Sequence, residues 1–257
     1  MNEIIITVDI GNTNIVFGGY KEEELIFTDR LDTDTESIYE IMAERIDNIF
    51  VQNNISKDEV KGCIISSVVP KMTPNIKIYM RNLIGQDPLV MGENVDNHIE
   101  ILRENPEKVG RDLIASAVAA KEKYGCPAVV FDLGTATTTT VINENGAYIG
   151  GTIAPGMKIS QDALSSKAAL LPEIELKAPE KCINSETTGL MQSGIVFGTA
   201  SMIDGMIDRI CEELEKPAQI VLTGGLAQIV KDHIKHVVIY EPNLLLEGLY
   251  ILYKKNR

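Results

Sequence analysis

Two short segments of the chain each carry an aspartate and a glycine directly after a strand-like apolar run. The first, VDIGNT, contains Asp9 and Gly11, and the second, FDLGTA, contains Asp132 and Gly134. Because glycine has no β-carbon, the backbone of such a turn can approach a phosphate closely. A carboxylate at the end of a buried strand is costly unless it is paired or near a cation, and Mg²⁺ often accompanies nucleotide phosphates. The paired turns therefore predict a site for the phosphates of a nucleotide.

A single Asp-x-Gly sequence is weak evidence, because aspartate and glycine also form ordinary capped turns. Two copies in the same strand context favour a functional interpretation, since structural context is what supports a motif. A third turn, Thr223-Gly224-Gly225, could let an adenosine group pass close to the backbone, although it also fits a plain strand-to-helix turn. Neither GxxxxGKS/T nor GxGxxG occurs, which excludes the P-loop and dinucleotide-binding fingerprints.

The elements that position these turns follow from hydrophobic periodicity and turn residues. Strands are predicted at residues 4–8, 14–20, 24–31, 61–69, 88–91, 128–132, 137–143, 147–152, 219–223 and 236–240. Helices are predicted at residues 35–52, 72–83, 112–123, 157–170, 188–215, 227–234 and 243–254. The apolar face of the first helix is expected to comprise Ile38, Ile41, Met42, Ile46 and Ile49.

Both Asp-x-Gly turns are followed by further strands and then by helices. This repetition predicts a duplicated α/β unit, with two lobes and a central cleft between them. We place the N-terminal lobe at residues 1–110 and the C-terminal lobe at residues 111–257.

The bulk composition narrows the possible partners. The net charge of −13 argues against a nucleic acid or an anionic membrane, which require clustered Lys and Arg. Cys63, Cys126, Cys182 and Cys211 form no CxxC pair, so we expect buried, reduced thiols and no zinc site. No apolar run approaches the roughly 20 residues needed to span a bilayer. The expected protein is soluble and cytoplasmic.

Further segments carry a resemblance that covers essentially the whole chain. They are DIGNTN at 9–14, NPEKVGRD at 105–112, ASAVAA at 115–120, GGTIAPG at 150–156, Thr187 ahead of MQSG at 191–194, and PNLLLEGL at 242–249. In order and spacing these segments resemble the type III pantothenate kinases. That family belongs to the actin, hexokinase and acetate kinase superfamily. The resemblance implies duplicated actin-like (ribonuclease H-like) lobes, with mixed sheets flanked by helices.

The resemblance also implies an activity. It is the ATP-dependent phosphorylation of the primary hydroxyl of pantothenate to 4′-phosphopantothenate, the first step of coenzyme A biosynthesis. The implied cofactors are Mg²⁺ with ATP and a monovalent cation, K⁺ or ammonium. The implied assembly is a homodimer with dimer contacts in the C-terminal lobe and the pantothenate site near the subunit interface.

Residue roles follow from the same resemblance. The first phosphate turn would comprise Asp9, Ile10, Gly11, Asn12, Thr13, Asn14, Ile15 and Val16. Asp9 would organise Mg²⁺ through water, Asp132 would bind the monovalent cation, and Thr135 would contact ATP. Asp112 would be the general base, although such an acid also suits the first turn of a helix. The pantothenate pocket would comprise Gly110, Arg111, Asp112, Leu113 and Thr187.

The chain departs from its relatives around this pocket. The usual Gly-x-Asp-Arg is replaced by Gly110-Arg111-Asp112-Leu113, and Arg103 stands where an aromatic residue is common. The usual Gly-x-Asn-Thr reads NSET and ends at Thr187. We hypothesise that Arg111 or Arg103 supplies a cation to the pantothenate carboxylate. The alternatives are a kinase of another small alcohol, a nucleotide-binding regulator without turnover, and an ATPase of the chaperone or actin type.

Overall fold

The structure is a computed structural model that describes residues 3–33 and 38–257. The chain forms two compact units. The first comprises Met1–Ile99, Glu104–Ala119 and Leu245–Arg257, and the second comprises Glu100–Arg103 and Ala120–Leu244. The division predicted from the sequence, at 110/111, assigns the C-terminal residues to the second lobe, whereas the structure groups residues 245–257 with the first unit. That division and the central cleft stay predictions.

The first unit contains a five-stranded mixed sheet in the order β3-β2-β1-β4-β5. Its strands are β1 (Ile4–Ile10), β2 (Asn14–Lys21), β3 (Glu24–Asp32), β4 (Val60–Ser67) and β5 (Leu89–Val90). The first three strands are antiparallel, whereas β4 pairs parallel to both β1 and β5. The helices of this part of the chain are α1 (Ile38–Gln52), α2 (Thr73–Ile84) and α3 (Arg111–Tyr124).

The second unit contains a sheet of the same size in the order β10-β9-β6-β7-β8. Its strands are β6 (Ala128–Leu133), β7 (Ala136–Ile142), β8 (Tyr148–Pro155), β9 (Gln219–Thr223) and β10 (Ile239–Tyr240). β6, β7 and β8 are antiparallel, and β9 pairs parallel to β6 and β10. The helices of this unit are α4 (Met157–Lys167), α5 (Thr187–Leu214) and α6 (Ala227–Val230). The last helix, α7 (Leu244–Lys255), lies in the first unit except for its first residue.

The two sheets have one topology, because β6, β7, β8, β9 and β10 pair with each other as β1, β2, β3, β4 and β5 do. This equivalence confirms the predicted α/β fold of duplicated lobes with mixed sheets flanked by helices. The β-branched and apolar runs of β1 and β6 are almost completely buried, as central strands covered on both faces must be. Each sheet has its own apolar core, around Phe17 and Met80 in the first and Phe131 and Ile203 in the second.

Some predicted details are wrong. Ile41 is 41% exposed, so it lies outside the apolar face of α1, which Met42, Ile46 and Ile49 form together with Phe50. The predicted helix start at Thr35 and the side chain of Ile38 lie outside the described residues.

Several predicted elements are shorter in the structure than expected. The strand predicted at 88–91 is only Leu89–Val90, and the helix predicted at 157–170 ends at Lys167. The helix predicted at 227–234 is a single turn followed by a 3₁₀ turn, and the strand predicted at 236–240 is only Ile239–Tyr240. All four cysteines are free, but only Cys63 is buried, and Cys182 is exposed. Among the described residues, no helix is both long and apolar enough to cross a membrane.

Candidate active site

The first Asp-x-Gly turn joins β1 to β2 in the first unit. The backbone N–H of Gly11 donates to the carbonyl oxygen of Asn14 at 2.9 Å, which closes the turn on itself. Asn12 and Thr13 are exposed at its tip. A β-carbon on Gly11 would lie 3.0 Å from that same Asn14 oxygen, so a side chain here would crowd the turn. The turn is therefore narrow and exposed at its tip, so that its backbone can approach a phosphate closely.

Residues at the end of β3 support this turn from behind. The hydroxyl of Thr33 donates to the Gly11 carbonyl oxygen at 2.7 Å, and the Thr33 backbone N–H donates to the Thr13 carbonyl oxygen at 2.9 Å. The side-chain amide of Asn14 donates to Oδ1 of Asp32 at 3.1 Å. The conformation of the first turn thus depends on the neighbouring strand as well as on its own sequence.

Asp9 lies on β1, in register with Ser66 on β4. The hydroxyl of Ser66 donates to Oδ1 of Asp9 at 2.9 Å, and Ser66 itself is fully buried. This hydrogen bond restricts the rotamer of the carboxylate, while Asp9 remains only partly buried. A carboxylate fixed beside this turn suits Mg²⁺, which prefers oxygen ligands and keeps several waters.

Asp112 occupies the first turn of α3 and is partly buried. Its carboxylate folds back over Gly110, where a β-carbon would lie only 2.4 Å from Oδ1. Burial raises the pKa of the Asp112 carboxyl, and hydrogen bonds from the backbone N–H groups of Leu113 and of Asp112 itself oppose that rise. A carboxylate whose pKa is raised toward neutrality is better matched to accepting a proton than an ordinary surface aspartate.

Arg111 lies next to this carboxylate in sequence but packs elsewhere. Its guanidinium covers Gly92, where a β-carbon would meet Nε at 2.6 Å, and its Nη2 donates to the Glu107 carbonyl oxygen at 3.3 Å. Gly92 has φ +85°, a conformation that favours glycine. No salt bridge is found for Arg111 within residues 3–33 and 38–257.

The second Asp-x-Gly turn joins β6 to β7 in the second unit. It is one residue shorter than the first, because Leu133 pairs with Thr137 whereas Ile10 pairs with Ile15. The backbone N–H of Gly134 donates to the carbonyl oxygen of Ala136 at 3.1 Å. The two turns, similar in sequence, therefore differ in backbone geometry.

Two glycines make room for oxygen atoms around the second turn. A β-carbon on Gly224 would lie 2.3 Å from Oδ1 of Asp132. A β-carbon on Gly156 would lie 2.2 Å from the Thr135 carbonyl oxygen and 2.8 Å from that of Gly134. Carboxylate and carbonyl oxygens are the types of ligand that hard cations prefer.

The remaining predicted residues, Arg103 and Thr187, are both exposed residues of the second unit. Thr187 is the first residue of α5. Two hydrogen bonds hold the loop before it. The hydroxyl of buried Ser193 donates to the Cys182 carbonyl oxygen at 2.6 Å, and the side-chain amide of Asn184 donates to the Lys181 carbonyl oxygen at 2.7 Å. The predicted site residues are therefore divided between the units. Residues 9–16 and 110–113 belong to the first, and Arg103, Asp132, Thr135 and Thr187 belong to the second.

Sequence reasoning missed Ser66 and Thr33. Ser66 lies 57 residues from Asp9, and Thr33 lies 22 residues from Gly11, so no local spacing links either pair. The available signal was a polar residue at the end of a neighbouring strand. Ser66 lies near the end of β4, which pairs with β1, and Thr33 follows β3, which pairs with β2.

Comparison with known proteins identifies the family of the chain. The family model described as type III pantothenate kinase matches residues 5–209. The type III pantothenate kinase of Finegoldia magna is 39% identical over 260 residues, which cover 100% of this chain and 99% of that protein. The type III pantothenate kinase of Halalkalibacterium halodurans is 37% identical over 253 residues, which cover 98% of this chain and 100% of that protein.

The fold also matches solved structures of low sequence identity. The activator of 2-hydroxyisocaproyl-CoA dehydratase from Clostridium difficile, solved with bound ADPNP, aligns with a TM-score of 0.58 at 11% identity, over 98% of this chain and 95% of that one. This likeness concerns the fold alone. The family model and the two full-length relatives decide the assignment: the chain belongs to the type III pantothenate kinase family.

Proposed function

We propose that the protein transfers the γ-phosphoryl group of ATP to the primary hydroxyl of pantothenate, the first step of coenzyme A biosynthesis. Membership of the kinase family supports the reaction class. The main structural support for the mechanism is Asp112. It is a partly buried carboxylate at the start of α3, and burial raises its pKa.

Asp112 is the general base of the proposed reaction. Its carboxylate accepts the hydroxyl proton as the substrate oxygen forms a bond to the γ-phosphorus. The bond between that phosphorus and the bridging oxygen of ATP breaks, and ADP leaves. Phosphoryl transfer depends mainly on positioning and charge neutralisation, so the reaction needs only one side chain, a well-placed base, to take part in proton transfer.

The first turn is the proposed site of the ATP phosphates. Its backbone amides and the exposed side chains of Asn12 and Thr13 can donate to phosphate oxygens. Asp9, oriented by Ser66, would hold Mg²⁺ through water molecules. Mg²⁺ at this position would supply positive charge that neutralises the phosphate oxygens.

The second turn is the proposed monovalent-cation site. Asp132 supplies a carboxylate, and the carbonyl oxygens of Gly134 and Thr135 lie close to Gly156. Carbonyl and carboxylate oxygens replace the hydration shell of K⁺ in other proteins. Thr135 would then serve both the cation and ATP.

The acceptor pocket is proposed to use Gly110, Leu113 and Thr187, with Arg111 or Arg103 binding the pantothenate carboxylate. Arg111 is the stronger candidate because no carboxylate among the described residues forms a salt bridge with it, and only a backbone carbonyl holds its Nη2. Replacing both arginines with Ala should raise the KM for pantothenate and leave the KM for ATP little changed. An unchanged KM for pantothenate would exclude this role.

A homodimer is also proposed. The edge strand β8 exposes Ile153 at 78%, and Ile183, in the loop before α5, is 91% exposed. An exposed apolar side chain on an edge strand, such as that of Ile153, favours association with another chain, and the exposed Ile183 adds to the apolar surface. A cytoplasmic location stays a prediction from the sequence.

The experiment that tests the proposed activity measures ADP formation from Mg-ATP with a panel of acceptors: pantothenate, pantetheine, several sugars and no acceptor. We expect ADP only with pantothenate or its close analogues. A preference for a sugar would indicate another kinase of the superfamily, and acceptor-independent ADP formation would indicate an ATPase. Nucleotide binding without any turnover would indicate a regulator.

A further inference from the structure

We infer that Thr33 is a positioning residue that holds the first phosphate turn in its binding conformation. The inference rests on the proposed assignment of this turn to the phosphates of ATP. Thr33 immediately follows β3. Its side-chain hydroxyl donates to the Gly11 carbonyl oxygen at 2.7 Å, and its backbone N–H donates to the Thr13 carbonyl oxygen at 2.9 Å.

These two hydrogen bonds determine which way the turn's amides point. In a planar trans peptide, the C=O and the N–H point in opposite directions. Binding the Gly11 carbonyl to Thr33 therefore turns the N–H of Asn12 away from Thr33, and binding the Thr13 carbonyl does the same for the N–H of Asn14. The carbonyl oxygens, which would repel a phosphate, lie behind the turn, and two amide donors face the opposite side.

The position in the second unit that corresponds to Thr33 is occupied by a glycine. β8 corresponds to β3, and the residue that follows β8 is Gly156. A β-carbon there would lie 2.2 Å from the carbonyl oxygen of Thr135. A side chain cannot enter at this position, so the second turn has no counterpart of the Thr33 hydroxyl there. This difference is consistent with an anion at the first turn and a cation at the second.

Asp32, the last residue of β3 and the neighbour of Thr33, also stabilises the first turn. Oδ1 of Asp32 accepts a hydrogen bond of 3.1 Å from the side-chain amide of Asn14. Asp32 and Thr33, which are consecutive at the end of β3, therefore bind both ends of the turn, at Asn14 and at Gly11. Thr33 is partly buried behind the turn, so it acts through the backbone of Gly11 and Thr13 and not by touching the reacting atoms.

The test compares Thr33→Val, which removes the hydroxyl and keeps the shape, with Thr33→Ser, which keeps the hydroxyl. Thr28→Val is the matched control, because Thr28 is an exposed threonine of the same strand. Leaving the Gly11 carbonyl unsatisfied should raise the KM for ATP about five- to tenfold in Thr33→Val, with little change in the KM for pantothenate. Calorimetric affinity for a non-hydrolysable ATP analogue should fall by the same factor, Thr33→Ser should restore both values, and Thr28→Val should match the wild type.

A turn variant, Gly11→Ala, separates the inference from the assignment on which it rests. If Gly11→Ala weakens ATP binding but Thr33→Val does not, Thr33 has no positioning role and the phosphate assignment stands. If neither variant alters ATP binding, the phosphate assignment fails and the inference fails with it. Equal rises in both KM values, or a defect that serine does not restore, would reduce Thr33 to a stabilising residue and overturn the inference. Thr33→Ala replaces Thr33→Val in these comparisons if the valine variant does not fold.

Discussion

The hydroxyl of Ser66 donates a hydrogen bond of 2.9 Å to Oδ1 of Asp9, across the parallel strands β4 and β1. The equivalent strands of the second unit place Thr223 in register with Asp132. Both predicted cation-binding aspartates therefore have a hydroxyl residue beside them on the next parallel strand. The two units thus share this pairing of an acid with a hydroxyl residue even though the two turns differ in length.

Removing the Ser66 hydroxyl should release the Asp9 carboxylate from its fixed rotamer. We expect Ser66→Ala to lower kcat/KM about fivefold, corresponding to about 1 kcal/mol for one hydrogen bond. The concentration of Mg²⁺ needed for half-maximal activity should rise. Ser66→Thr is the conservative control, because a threonine occupies the equivalent position beside Asp132. Normal Mg²⁺ dependence in Ser66→Ala would contradict a role in orienting Asp9.

Replacing the proposed base should separate activity from stability. Asp112→Asn should lower kcat by about 10²–10⁴, the range for loss of a general base. The same variant should melt at an equal or higher temperature, because the raised pKa means that the folded state disfavours the ionised carboxylate. Glu107→Gln, at an exposed residue just before α3, should change neither property. A large fall in melting temperature for Asp112→Asn would indicate a structural acid instead of a base.

The pH dependence of activity should reflect the same carboxyl group. A base must be ionised, so kcat/KM should be retained above the pKa of Asp112 and lost as the pH falls through it. Because that pKa is raised, the loss should begin at a higher pH than the ordinary aspartate value of about 3.9 would give. The contribution of this group to stability has the opposite sign. It is favourable at low pH and is lost as the pH rises from the unfolded-state pKa through the folded-state pKa.

The cation site can be tested by exchange of the monovalent ion. We expect activity in K⁺ or ammonium and much lower activity when Na⁺ replaces it. Asp132→Asn should lose activity in K⁺ and show little difference between the two ions. If the wild type is equally active in Na⁺ and K⁺, the carbonyl and carboxylate oxygens around the second turn do not form a selective site.

Close packing of α3 and α7 in the first unit supplies a stability test. A β-carbon on Gly248 would lie 1.9 Å from the Ala115 carbonyl oxygen, which is backbone and cannot rotate away. Gly248→Ala should therefore destabilise the fold by about 1–3 kcal/mol, the usual cost of overpacking. Gly205→Ala on α5 has open space and should instead stabilise it by about 0.4–1 kcal/mol. Thermal or denaturant unfolding of the two variants measures both effects.

The sequence predicts most of this fold because the central strands β1, β6 and β9 are apolar runs rich in β-branched residues. The strand predicted at 219–223 has the observed bounds, and β1 begins at the predicted residue. Ile41 was assigned to the wrong face because periodicity alone does not show where the core contacts of α1 end. The contacts of Ser66 and Thr33 were not predicted, since both depend on strand register between distant segments. The unequal lengths of the two turns were missed for the same reason, because both read Asp-x-Gly in sequence.

Identification of the reaction product tests the proposed kinase activity most directly. Purified protein is incubated with Mg-ATP, K⁺ and pantothenate, and the products are analysed by ³¹P NMR and mass spectrometry beside Asp112→Asn. We predict one phosphomonoester on the primary hydroxyl of pantothenate, formed in equal amount to ADP by the wild type and nearly absent with the variant. ADP without a phosphorylated pantothenate would exclude pantothenate as the acceptor, and equal product from both proteins would exclude Asp112 as the general base.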